Sequence, residues 1–269
     1  MILIIENNIG RELSLQFEAK KKLEQIDDLK NQFISLISPY LRTPMTSIKG
    51  CISEMEETPL SRPQKQDLRN LGMVTNGLEN TIEKLLIISS IQRGHATVTL
   101  VPTDLNPLIS EVVRVYQPIA SSAKVTMEYQ PLTMQPVKFS LDPLKMREVM
   151  ISLIDNAVKY NQPGGFVKIS VNSTIDKIQI QVTDSGQGVK KDHLSTLFST
   201  FNIGGMDKVL HFDKQDMGLS LYLAKLIIEA HKGKIQVQST EGQGAVFTVS
   251  LPIIPKSQIR SLPTFKEGI

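Results

Sequence analysis

Apolar residues in the first third of the chain recur at steps of three and four positions, the period of an amphipathic helix. Over residues 11–56 the series has the spacing of a coiled-coil seam. Its members are Ile26, Leu29, Phe33 and Leu36. The segment 57–63 is rich in turn residues, and a second helical series follows it and stops at Gly94, a typical helix-ending residue. Its members are Leu68, Leu71, Leu78, Ile82 and Leu85.

Two amphipathic helices joined by a short turn predict a helical hairpin over residues 11–96. A single hairpin cannot cover the apolar stripes of both helices, so we expect two hairpins to pair as a dimeric four-helix bundle. The stripe of the first helix is then expected to be buried. It comprises Phe33, Ile37, Leu41, Met45 and Ile48.

The pattern changes after Val101, where short strand-like runs alternate with helical ones. The predicted strands are residues 124–129, 166–171, 177–183, 234–238 and 245–251, and the predicted helices are residues 104–117, 142–160 and 217–231. This alternation favours an α/β layer. The predicted fold class is therefore α + α/β, with a boundary near residues 97–103 and a second domain over 103–252. We expect the proline-containing tail, residues 253–269, to be loosely ordered.

Composition narrows the class of protein. The 269 residues include 30 basic and 27 acidic side chains, a net charge of +3, and no basic cluster with interleaved aromatic residues. We therefore expect no nucleic acid partner. The single cysteine, Cys51, excludes an intrachain disulfide and a cysteine metal site, and fits a reducing compartment such as the cytoplasm.

The first five residues are apolar, and the chain turns polar at Glu6. Five residues are too few to cross a bilayer or to form the core of a signal peptide. Two interpretations stay open for this N-terminal stub, residues 1–10. It is either a frayed end or the remnant of a preceding membrane helix, in which case a sensor segment upstream would tether the chain.

Several short motifs carry groups suited to a nucleotide. Asp184-Ser-Gly-Gln-Gly188 follows a predicted strand, and its aspartate can accept a hydrogen bond from an exocyclic amine. Asn156 and Lys159 share one face of the predicted helix 142–160. An amide oxygen suits Mg²⁺ and a lysine suits phosphate. Farther on, Gly218 opens a helix whose free N–H groups suit phosphates.

The order of these motifs resembles the N, G1, F and G2 boxes of the ATP-binding domain of two-component sensor histidine kinases. The resemblance covers roughly residues 103–252 and extends to the flanking segments, which include 142–149 and His231. It implies an α/β sandwich of the histidine kinase, gyrase and Hsp90 type. ATP and Mg²⁺ would bind under a flexible lid of about residues 199–217.

The resemblance also implies a role for each motif residue. Asn156 would hold Mg²⁺, and Asp184 would bind the adenine amine. The glycines that would admit the nucleotide are Gly186, Gly188 and Gly218. The other positions would line the ATP pocket, and they are Lys159, Tyr160, Phe198, Leu219 and Ser220.

Three positions depart from the family pattern. Ser152 replaces an asparagine one turn before Asn156, and Asp216 and Ser220 replace glycines of the G2 box. A carboxylate at position 216 would repel the phosphates strongly in a poorly solvated site, unless it points from the lid into solvent. We therefore expect ATP to bind weakly.

The family's phosphoacceptor motif is altered in the first helix. Residues 41–44, Leu-Arg-Thr-Pro, match the end of the family sequence Ser-His-Glu-Leu-Arg-Thr-Pro, which places Pro39 at the acceptor histidine and Tyr40 at its acidic partner. Position 39 lies about 200° from position 37 around the helix, so it faces outward, as an acceptor must. Proline cannot accept phosphate, and inside a helix it costs about 3 kcal/mol and causes a kink. Tyr40 lacks the carboxylate of a general base.

These changes predict a pseudokinase that binds ATP without histidine autophosphorylation. By resemblance, it would pair with itself or with an intact histidine kinase and engage the receiver domain of a response regulator. Two alternatives remain. Thr43, four residues after position 39, could position water in a response-regulator phosphatase. An ATP hydrolase of the wider superfamily would need a glutamate where Ser152 stands.

Overall fold

The computed structural model describes residue 17 and residues 41–92, 98–132, 138–199 and 219–253. The chain divides into two compact units, residues 1–96 and 97–269. The first unit contains a helix over residues 41–56 (α1) and the helix α2 (Arg62–Gln92). In the second unit the helices are α3 (Leu105–Ser122), α4 (Pro143–Lys159), α5 (Lys191–Leu194) and α6 (Leu219–Ala230). Its strands are β1 (Val101–Asp104), β2 (Thr126–Gln130), β3 (Lys138–Leu141), β4 (Phe166–Ser173), β5 (Lys177–Asp184), β6 (Lys234–Ser239) and β7 (Ala245–Pro252).

A capping box sets the start of α2. The backbone N–H of Ser61 donates to Gln64 Oε1 at 2.9 Å, and the N–H of Gln64 donates to Ser61 Oγ at 3.5 Å. Such reciprocal bonds satisfy N–H groups that a helix start leaves unpaired. The turn is therefore two residues shorter than the predicted segment 57–63. An ion pair between Lys49 and Glu79 joins α1 to α2.

The stripe predicted to be buried on the first helix is only partly covered in the single chain. Met45 is 5% exposed, whereas Leu41 and Ile48 are 40% and 44% exposed. On α2, Leu71 and Leu78 are also exposed, at 53% and 47%. Exposure of Leu41 and Ile48 in one chain leaves their burial between two hairpins a prediction, because one hairpin has too little surface to cover every apolar face. Phe33 and Ile37 lie outside the described residues.

The second unit is a two-layer α/β sandwich. Its five-stranded sheet has the order β2-β4-β5-β7-β6, with β2 and β4 parallel and the other neighbours antiparallel. Alternate residues of β4, β5 and β7 are buried, and α3, α4 and α6 pack against one another or on the sheet. Burial of one sheet face under helices confirms the predicted α/β sandwich.

The five predicted strands are all present, with ends shifted by up to two residues, but two strands were missed. β1 and β3 pair only with each other, antiparallel, in a separate two-stranded sheet. Each has four residues, too few for a clear alternation. Helix α3 also continues through Pro118 to Ser122, beyond the predicted end at residue 117.

Candidate functional site

Asp184 ends β5 at a buried position. The residue is 8% exposed, and its Oδ1 accepts a hydrogen bond from the Gly186 N–H at 2.8 Å. Burial raises the pKa of this carboxyl, while the N–H groups of Gly186 and Ala245 act in the opposite direction. The aspartate is thus fixed at the strand end by its own loop.

The glycines of this loop pass close to the protein's own backbone. A Cβ on Gly186 would lie 2.4 Å from the Tyr160 carbonyl oxygen, which also accepts the Gln187 N–H at 3.1 Å. Gly188 has φ +66°, and a Cβ there would lie 2.1 Å from the Thr240 carbonyl oxygen. Both positions require glycine for packing of the chain itself, a reason that the sequence motif did not reveal.

The turn between β6 and β7 holds the other side of the same loop. Ser239 Oγ accepts the Val189 N–H at 2.9 Å and donates to the Gly244 carbonyl at 2.6 Å. The Gly242 N–H donates to the Gln187 carbonyl at 2.8 Å. The loop after β5 is therefore clamped between the end of α4 and the β6–β7 turn.

Helix α4 brings Asn156 to this region. Asn156 is 9% exposed and Ser152, one turn earlier, is 6% exposed. Neither side chain makes a hydrogen bond within the described parts of the chain. At the end of the helix, Lys159 Nζ lies 5.7 Å from the ring centroid of Tyr160, which is 37% exposed.

The remaining predicted residues lie in the turn after α5 and in the first turn of α6. The ring of Phe198 packs edge-on against Phe247 of β7, with centroids 6.3 Å apart. Leu219 and Ser220 are buried in the first turn of α6. Gly218, Asp216 and the lid predicted over residues 199–217, apart from Ser199, lie outside the described residues.

Asp142 connects α4 to α6 and to the start of the unit. Its Oδ1 accepts the N–H groups of Leu144 and Lys145, both at 3.1 Å, and its Oδ2 accepts the Thr99 N–H at 3.0 Å. Its own N–H donates to His231 Nε2 at 3.0 Å. These bonds connect α4 and α6, the two helices that carry residues predicted to bind the nucleotide.

Comparison with known proteins agrees with this arrangement. Residues 141–255 match the family described as histidine kinase-, DNA gyrase B- and HSP90-like ATPase. The chain is 28% identical to the circadian input-output histidine kinase CikA of Synechococcus elongatus over 96% of its own length and 36% of that protein. It is 26% identical to the heme sensor protein HssS of Staphylococcus saprophyticus over 91% of its length and 52% of that protein. The chain carries a sensor histidine kinase core with an ATP-binding domain.

Solved structures show the same fold for this kinase core. Full-length ShkA in complex with AMPPNP superposes with a TM-score of 0.67 at 22% identity, over 82% of this chain and 45% of that one. The Acinetobacter baumannii histidine kinase AdeS gives a TM-score of 0.58 at 22% identity, over 80% of this chain and 98% of that one. Of the two curated relatives named above, the chain spans about a third of CikA and about half of HssS.

The kinase core has one candidate Mg²⁺ ligand on α4. The buried, unpaired amide of Asn156 suits a hard cation, because its oxygen is a ligand that Mg²⁺ accepts. Across the described residues, no group of three or more His, Cys, Asp or Glu side chains is placed to hold a metal ion. An ion at Asn156 would therefore take most of its ligands from water and from phosphate oxygens.

Pro39 and Tyr40 of the kinase core lie outside the described residues. Immediately after them, Arg42 and Thr43 of α1 are exposed, and they line an open depression together with Thr46 and Ser47. Among the helices that the structure describes, none is long and apolar enough to cross a membrane.

Proposed function

We propose that this chain is an ATP-binding histidine kinase core that does not phosphorylate itself on histidine. The observation that carries the proposal is the sequence before α1, where Pro39 and Tyr40 stand in place of the acceptor histidine and its acidic partner. The ring nitrogen of a proline within the chain is an amide nitrogen whose lone pair is delocalised into the carbonyl group, so it cannot accept phosphate. A tyrosine does not replace a carboxylate base.

ATP binding is supported by the groups around the loop after β5. Asp184 would accept the adenine amine, and the clamped loop would hold it in place without further ordering. Asn156 would bind Mg²⁺ on the nucleotide, and Lys159 would approach the phosphates. Phe198, Leu219 and Ser220 would complete the pocket with Tyr160. ShkA, which shares the fold, was solved with AMPPNP.

The first experiment separates ATP binding from phosphotransfer. We expect calorimetry to detect Mg²⁺-ATP binding to the chain, with affinity lowered at least tenfold in Asn156→Ala. Asn172→Ala, at an exposed position on β4, is the matched control and should bind like the unchanged chain. Equal affinities for Asn156→Ala and Asn172→Ala would argue against the assigned site.

Incubation with ATP labelled on its γ-phosphate tests the second half of the proposal. We expect no acid-labile phosphate on the chain. Pro39→His/Tyr40→Glu restores the family's pair, so label on this variant alone would locate the defect at these two positions. Acid-labile phosphate on the unchanged chain would contradict the proposal.

The partners follow from the same reading. The core would pair with a second copy or with an intact histidine kinase, and it would engage the receiver domain of a response regulator.

A phosphatase that uses Thr43 is the alternative function, and the exposure of Thr43 on α1 is compatible with it. Dephosphorylation of a regulator that is lost in Thr43→Ala would favour this alternative. The third candidate function, ATP hydrolysis as in the wider superfamily, is not favoured, because Ser152 stands where a catalytic glutamate would be needed.

A further inference from the structure

His231 is a buried histidine to which the proposed ATP site gives no role. It is 4% exposed and lies directly after α6, where Nδ1 bonds the Ile227 carbonyl at 2.8 Å and Nε2 bonds the Asp142 N–H at 3.0 Å. A backbone carbonyl can only accept a hydrogen bond and a backbone N–H can only donate one, so these two bonds require the neutral ring with its hydrogen on Nδ1. Only one protonation state of the ring therefore fits its surroundings.

Asp142 extends this contact to the start of the second unit. Its Oδ1 accepts the N–H groups of Leu144 and Lys145 in the first turn of α4, and its Oδ2 accepts the Thr99 N–H at 3.0 Å. Thr99 precedes β1 and lies near the first residue of the unit that spans residues 97–269. The bond to Oδ2 thus attaches the segment by which the chain enters this unit.

A proton on Nε2 would change the bonding of all three groups. Nε2 would then be a donor facing the Asp142 N–H, and two donors cannot form a hydrogen bond. The positive ring would attract the carboxylate of Asp142, whose charge already acts on it. Oδ1 is held by two N–H groups, whereas Oδ2 is held by the Thr99 N–H, so Oδ2 is the oxygen that can turn to the ring at the lower cost.

The other charged groups on the adjoining elements are poorly placed to compete with Asp142. They lie on β3, the first turn of α4, α6, β6 and the turn before β6, and all of them are exposed or partly exposed, so water and salt screen their charges. These residues are Lys138, Lys145, Lys225, Glu229, Lys232 and Lys234. The 7% exposed Asp142 is therefore the group to which a protonated ring would respond.

We propose that His231 is a pH-dependent switch that controls the attachment of Thr99 to Asp142. The neutral ring leaves Oδ2 on the Thr99 N–H. A proton from solvent binds the lone pair of Nε2, the ring takes Oδ2, and the Thr99 N–H is released. Acidic pH would thereby loosen the entry of the chain into the second unit. The inference does not depend on ATP binding, so this proposal and the proposed function can fail separately.

An NMR titration of the full, isotopically labelled chain between pH 7.5 and 5.0 tests the switch. We expect the Thr99 amide proton to move upfield as its bond is lost, with the same midpoint as the ring of His231. The amide protons of Leu144 and Lys145 should move much less, because their acceptor is the other oxygen of the same carboxylate. A Thr99 signal that stays in place while the ring titrates would overturn the proposal. Equal movement of all three signals, or a ring that stays neutral down to pH 5.0, would do the same.

His231→Gln supplies a neutral side chain whose oxygen can accept the Asp142 N–H at every pH in this range. We expect the Thr99 signal of this variant to be independent of pH. His193→Gln, at an exposed position on α5, is the matched control and should keep the titration of the unchanged chain. A Thr99 signal that still titrates in His231→Gln would rule out the ring as the switch.

The coupling should also be measurable in the opposite direction. Thr99→Pro removes the N–H that binds Oδ2, so the carboxylate is free to stabilise the charged ring and the pKa of His231 should rise. Val98→Pro places a proline one position earlier, leaves the Thr99 N–H intact and should leave the pKa of His231 unchanged. If Thr99→Pro and Val98→Pro give the same ring titration as the unchanged chain, the switch is refuted.

Discussion

At Gly186 the loop after β5 passes so close to Tyr160 that no side chain fits between them. The sequence pointed to this glycine through its motif, but spacing alone could not show that its neighbour is the carbonyl oxygen of Tyr160, directly after α4. The same holds for Gly188, whose neighbour Thr240 lies 52 positions farther along the chain. A local motif identifies which residues are constrained, whereas the source of the constraint depends on contacts that are distant in sequence.

Gly186→Ala should therefore destabilise the second unit before any ligand is considered. Its Cβ would approach the Tyr160 oxygen to 2.4 Å, so the loop or the end of α4 must move. We expect a loss of about 1–3 kcal/mol in the free energy of unfolding, measured by chemical denaturation, together with weaker ATP binding. Gly72→Ala on α2 is the control, since a Cβ there meets no atom within 4 Å. It should stabilise the chain by up to about 1 kcal/mol. Equal stability of the two variants would refute the packing argument.

Among the elements, the hydrophobic pattern predicted the strands of the large sheet, in which one face is buried. β4, β5 and β7 alternate over eight residues each, and their period of two was visible in the sequence. The four-residue strands β1 and β3 gave no such signal. The connection from α4 to α6 was equally hidden, because the bond between Asp142 and His231 joins residues 89 positions apart.

This connection should make stability depend on pH through His231. Nε2 accepts the Asp142 N–H and Nδ1 donates to the Ile227 carbonyl at 2.8 Å, so the ring is neutral. Burial lowers the pKa of His231 below 6.5, and the bond to Ile227 and the charge of Asp142 only partly offset this. The stabilisation is complete above pH 6.5, the pKa expected in the unfolded chain. It is lost as the pH falls from there through the folded pKa, because the unfolded chain takes up the proton first.

Chemical denaturation at several pH values between 7.5 and 5.5 measures this contribution. We expect the unchanged chain to lose more stability over this range than the variant His231→Asn. The variant should be less stable at pH 7.5, but it has no group at position 231 that takes up a proton. The difference in slope cannot exceed about 1.4 kcal/mol per pH unit for one proton. His193→Asn, at an exposed position on α5, should keep the slope of the unchanged chain. Parallel curves for the chain and His231→Asn would exclude this role.

At the scale of the whole molecule, the second unit buries its own apolar core, whereas the hairpin of α1 and α2 leaves apolar residues exposed. Leu41, Ile48 and Met55 of α1 follow each other at intervals of seven residues and are 40–49% exposed. Heptad spacing of exposed apolar residues is typical of a helix seam that a partner helix covers. The sequence predicted both helices and the need for a partner, but it could not assign individual stripe residues to contacts within one chain or between chains.

We expect Ile48→Lys to convert a dimer into a monomer. Ile48 is at the middle of the exposed heptad series, and burying a lysine charge opposite a second copy of the same surface would be costly. Lysine is a good helix former, so α1 itself should persist, which circular dichroism would verify. Light scattering should give about twice the 30.0 kDa chain mass for the unchanged protein and 30.0 kDa for the variant.

Ile175→Lys, at a residue that is 99% exposed between β4 and β5, controls for loss of a surface isoleucine and should remain a dimer. If the unchanged chain is a monomer at micromolar concentration, the hairpin needs a different partner, and mixing with an intact histidine kinase becomes the direct test.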